Sequence, residues 1–114
     1  MVVFLVLVAA CGETRREVYM RGMTVEREAE QGPCKLMYDK ELGANVLSGD
    51  QVQHCLKGQE EALAIYDQAA AMGLKDVDFV AAHERARERV KKLEMMLQQV
   101  REMEAPEYPG LGKP

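Results

Sequence analysis

DVDFVAAHERARERVKKLEMMLQQVREM, residues 76–103, decides the fold. Asp76 and Asp78 put acidic groups where a helix begins, and the helix dipole favours them there. Phe79, Ala82, Ala86, Val90, Leu93, Leu97 and Val100 then recur along one face for about six turns, the spacing of an amphipathic helix. The opposite face, from Glu84 through Arg85, Arg87, Glu88, Arg89, Lys91 and Lys92 to Glu94, mixes both signs as a solvated surface does. Met95, Met96 and Met103 widen the apolar surface beyond one stripe, enough to cover a second neighbour or a protein partner. The pattern predicts a helix over 77–104.

Upstream, Ser48-Gly49-Asp50-Gln51 reads as a capping box: the Ser48 hydroxyl accepts a backbone N–H and Gln51 reaches back to the N-cap amide. Val52, Cys55, Leu56, Leu63, Tyr66, Ala69 and Ala70 continue an apolar stripe to Gly73, a left-handed stop, which predicts a helix over 49–72. Gly58 costs such a helix about 1 kcal/mol unless it admits a close neighbour. Gly32-Pro33 is a break, and Cys34, Met37, Tyr38 and Leu42 share one helical face up to Gly43, so a helix is expected over 33–43. Val18, Met23, Val25 and Ala29 predict another over 17–31, weakened by Gly22. The expected fold is all-α: a small antiparallel helical hairpin or three-helix domain over 17–104, followed by a flexible Pro/Gly tail over 105–114.

Composition narrows the function. Fifteen basic and 19 acidic residues give a net charge of -4, which offers no general attraction to nucleic acid. There is no Trp, and eight Met accompany two Phe and four Tyr, so the core is built from adaptable side chains. No glycine-rich phosphate loop, activated nucleophile or cofactor motif is present, and nothing marks a small-molecule substrate. The sequence points away from an enzyme.

The N terminus supplies a location. Val2 to Ala10 is an unbroken apolar run too short to span a bilayer, and Val8-Ala9-Ala10-Cys11 resembles the lipobox of bacterial lipoproteins. The resemblance implies a signal peptide over 1–10, acyl chains on Cys11, a tether over 11–16, and, with Gly12 following Cys11, delivery to the outer membrane. No Lys or Arg precedes the run, where a secretory leader carries a positive segment; a start further upstream would supply one. The competing reading makes Val2 to Val8 a buried strand of a cytosolic helical regulatory protein.

With Cys11 acylated, Cys34 and Cys55 are the remaining thiols, and an exported protein meets an oxidising compartment. The one possible disulfide would stabilise the domain by about 3 kcal/mol. The alternative is a metal-binding sensor or small enzyme using Cys34, His54, Cys55 and His83. These four lack the paired spacing of zinc ligands, and adjacent helical His54 and Cys55 point about 100° apart.

Gly58-Gln-Glu-Glu-Ala62-Leu-Ala-Ile-Tyr66-Asp-Gln-Ala69-Ala-Ala-Met-Gly-Leu74-Lys-Asp resembles the second helix and turn of a tetratricopeptide repeat, with Ala62, Tyr66 and Ala69 at packing positions and Leu74 where Pro is usual. Residues 50–57 are too short for the repeat's first helix, and an ordinary helical hairpin with alanine contacts explains the same pattern. The long last helix resembles the solvating helix that closes such arrays. The resemblance implies protein binding. Together these readings give the expected function: a lipid-anchored interaction module, an accessory, pilot or scaffold subunit of a bacterial envelope assembly, meeting a protein partner through Met95, Met96 and Met103.

Overall fold

The computed structural model describes residues 12–104. The lipobox-like segment with Cys11 and the tail over 105–114 lie outside these described residues. In chain order the elements are α1 (Arg15–Gln31), β1 (Met37–Asp39), β2 (Ala44–Val46), α2 (Gly49–Ala71) and α3 (Val77–Glu104). The fold is helical, as expected, with a small strand pair added. Helix α2 packs along both neighbours, while α1 and α3 meet chiefly through long side chains.

Helices α1 and α2 each start where a side chain satisfies free amides. Ser48 accepts from Gln51 N at 3.2 Å and Gln51 Oε1 accepts from Ser48 N at 3.0 Å, so the expected capping box starts α2. A second box, Thr14 with Glu17, starts α1 at Arg15, so the expected tether loses Arg15 and Arg16 to the helix. Arg16 then reaches Asp76 at 2.8 Å and Asp78 at 2.9 Å, tying the start of α1 to the start of α3. Its guanidinium holds the Asp78 carboxyl below the usual carboxylate range. Gly73, at φ +93, turns the chain from α2 toward α3.

Two clusters make the core. Toward the α2–α3 turn, Val18, Tyr19, Tyr66, Ala69, Phe79, Ala82 and Ala86 pack together, with Tyr19 and Phe79 edge to face at 5.2 Å. Toward the other end, Val52, Cys55, Leu56, Val90 and Leu93 form the second cluster, flanked by Leu47 and Leu97. Two glycines let α1 and α2 approach. A Cβ on Gly22 would lie 2.6 Å from Tyr66 Cε1, and one on Gly58 would lie 2.9 Å from Ala29 Cβ. The glycines expected to weaken these helices are therefore where the helices touch.

The helix expected over 33–43 is not formed. Residues 37–46 make an antiparallel hairpin in which Met37 pairs with Val46 and Asp39 with Ala44. Asp39 Oδ1 accepts from the amides of Glu41 at 2.8 Å and Leu42 at 3.1 Å, and Gly43 takes φ +66. The Asp39 side chain thus organises a turn, and Gly43 closes that turn rather than a helix. Physically, an eleven-residue helix is marginal unless it buries its stripe. Here Met37, Tyr38 and Leu42 are 56%, 64% and 68% exposed, so no core rewards a helical face.

Candidate functional site

The sulfurs of Cys34 and Cys55 stand 1.99 Å apart, at disulfide distance, with α-carbons 4.6 Å apart. Cys55 lies in α2, whereas Cys34 sits in the turn leaving α1, where its amide donates to Ala29 O at 2.8 Å. The expected link between two helices is thus a link from the α1–α2 connection to α2. Gln59, fully buried, brings its amide nitrogen within 3.4 Å of the Cys34 sulfur.

The remaining members of the proposed metal set are elsewhere. His54 is exposed and borders a cavity with Lys57, Glu60 and Arg101. His83 lies between α2 and α3, stacked on Phe79 at 5.2 Å, with Nε2 2.6 Å from Asp67 Oδ1. Among the described residues no three His, Cys, Asp or Glu side chains converge as metal ligands.

The three methionines do not form one surface. Met96 and Met103 border a cavity of about 380 Å³ with Leu47, Val52 and Val100, where α3 passes the start of α2. Met95 points to a different side, bordering a cavity of about 390 Å³ with Lys91, Glu94, Gln98 and Gln99. Residues one apart on a helix diverge by about 100°, and α2 occupies only one of those directions. Leu36, Met37, Tyr38 and Leu42 add exposed apolar side chains in and beside the hairpin at this same end.

The second polar feature is a charge network that spans all three helices. Glu26 of α1, only 7% exposed, accepts from the Tyr66 hydroxyl of α2 at 2.6 Å and from Arg89 Nη1 of α3 at 2.5 Å. Arg89 also reaches Glu30 at 2.7 Å. Burial, and then the bond to Glu26, push the Tyr66 phenol well above its ordinary value. By sequence pattern alone Arg89 falls on a solvated face and Glu26 carries no functional mark. The signal available was Glu26 itself, a carboxylate three residues before Ala29 and eight after Val18, on the stripe that α1 buries.

Among the described residues no helix is long and apolar enough to cross a membrane. Compared with known proteins, the chain matches no family model, no curated protein and no solved structure.

Proposed function

We propose that this chain is a lipid-anchored, non-enzymatic interaction module: an accessory, pilot or scaffold subunit of a bacterial envelope assembly, held at the outer membrane through Cys11. The observation that carries the reading is the distribution of exposed apolar side chains. Among the described residues ten large hydrophobic side chains are exposed, and seven of them, Leu36, Met37, Tyr38, Leu42, Met95, Met96 and Met103, belong to the end of the molecule where α1 finishes and α2 starts. Met20, Val77 and Val80 lie toward the other end.

That other end is where Gly12 enters the fold, beside the α2–α3 turn, because Arg15 donates to Met72 O at 3.3 Å and Arg16 pairs with Asp76. An anchor at Cys11 would hold it near the membrane. The 23 residues of α2 would then set the apolar end about 34 Å further out. Exposed apolar side chains concentrated at one end suit capture of a partner protein. The repeat-like Ala62, Tyr66 and Ala69 pattern and a disulfide suited to an oxidising compartment support the same reading.

The test uses the full chain in its native envelope. Intact-mass analysis is expected to place the N terminus at Cys11 with acyl mass added. Met96→Glu combined with Met103→Glu is expected to weaken recovery of the native partner by about ten-fold at unchanged helicity. An unacylated chain that begins at Met1, or full partner recovery by the double variant, would overturn the proposal.

A further inference from the structure

Between α1 and α3, well away from Met96 and Met103, lies a cavity of about 310 Å³. Its apolar lining is Tyr19 at 5% exposure, Ala82 at 3%, and the half-buried Met23. Glu26 and Glu30 also border it, but both carboxylates are engaged by Arg89, and Glu26 by the Tyr66 hydroxyl as well. The cations in the lining are in the opposite condition. Arg27 from α1 and Arg85 from α3 border the cavity from its two walls, and neither has an ion pair or side-chain hydrogen bond to another described residue. Arg85 is close enough that its charge acts on the phenols of both Tyr19 and Tyr66, opposing the upward push of burial.

Charge selects the ligand. Arg89 engages Glu26 and Glu30, and with Arg27 and Arg85 also beside the cavity three cations stand against two carboxylates, which leaves one positive charge to be met. A monoanion balances that surplus, whereas a dianion would add a second negative charge beside those carboxylates with no cation left to meet it. Guanidinium forks match a planar carboxylate well, and each such charged hydrogen bond outweighs a neutral one. The Tyr19, Met23 and Ala82 lining suits an apolar body joined to that carboxylate.

We propose that this cavity binds a monocarboxylate attached to an apolar group, its carboxylate held by Arg27 and Arg85 and its body against Tyr19, Met23 and Ala82. Two sources carry that chemistry: a free aryl or alkyl carboxylic acid, and the C-terminal residue of a peptide ending in an apolar side chain. The site stands independently of the proposed docking end.

The full chain is titrated with 3-phenylpropionate, with its uncharged amide, and with a blocked tripeptide ending in leucine as the free acid and as the amide, while side-chain NMR signals are followed. Saturable shifts at Tyr19, Met23 and Ala82 are expected with at least one of the acids, and about ten-fold weaker binding with the matching amide. Arg27→Gln and Arg85→Gln are each expected to weaken the acid about ten-fold, and Arg87→Gln, whose partner is Glu84 outside the cavity, to leave it unchanged. Both arginines are exposed, so these variants keep the fold. Tighter binding of the tripeptide acid assigns the peptide source, and equal or tighter binding of 3-phenylpropionate the free acid. Equal binding of acid and amide, shifts that do not saturate, or full affinity in Arg85→Gln would each overturn the site.

Discussion

Gly22 is the position where one atom has the largest consequence. A methyl group there would meet two carbons of the Tyr66 ring, at 2.6 and 2.7 Å, and that ring is fully buried against Tyr19 and Phe79. It has nowhere to move. In an exposed helix Gly22→Ala would gain about 1 kcal/mol of helix propensity. Here overpacking is expected to reverse the sign and destabilise the protein by roughly 1–3 kcal/mol. Urea denaturation decides it: a variant more stable than the parent would show that α1 can slide off the Tyr66 ring. The sequence presented Gly22 only as a weak helix position, because propensity is local and the ring that excludes a methyl lies 44 residues further on.

At the scale of elements, the α1–α2 connection is where local pattern misleads. Cys34, Met37, Tyr38 and Leu42 have helical spacing, but spacing predicts a helix only if something packs on the stripe, and here the side chains at 37, 38 and 42 face outward. The Asp39 turn and Gly43 then settle the hairpin. What holds this connection to the body is the Cys34–Cys55 link, with Gln51 Nε2 donating to Lys35 O at 3.3 Å. Reduction, or Cys34→Ser with Cys55→Ser, is expected to cost about 3 kcal/mol, since the link closes a loop of 21 residues' separation in the unfolded chain. Hydrogen exchange is expected to quicken first in residues 35–47, while amides in the middle of α2 and α3 stay protected until global unfolding. Uniform acceleration across all three helices would instead mean that the connection and the bundle unfold as one unit.

For the whole molecule, Glu26, Tyr66 and Arg89 matter because each belongs to a different helix. A buried carboxylate with both a phenol and a guanidinium as donors fixes how α1 sits relative to α3, which otherwise touch through few side chains. Tyr66→Phe leaves Glu26 with one donor fewer and is expected to cost about 2 kcal/mol at neutral pH. The pH dependence has a definite sign. The folded phenol titrates above the 10.0 of an unfolded one, so its contribution is complete below pH 10 and is lost as pH rises from there toward the folded value. Stability of the parent protein is therefore expected to fall above about pH 10. The Phe variant should fall less steeply, keeping only the smaller slope from Tyr19, whose phenol is also raised by burial. Denaturation midpoints at neutral pH and above about pH 10 provide the comparison, and parallel alkaline slopes in the two proteins would refute the role given to Tyr66.

The sequence by itself determined α2 and α3 and the capping box at Ser48, because their signals are repeated every turn or contained within four residues. It also picked out Cys34 and Cys55 as a pair, there being few thiols to choose from. Only the tertiary structure decided the rest. It turned residues 37–46 into a hairpin, divided Met95 from Met96 and Met103, and drew Arg89 from an apparently solvated face onto Glu26. Each outcome depends on which side of an element meets a neighbour far away in the chain, and one helix's periodicity carries no record of that neighbour.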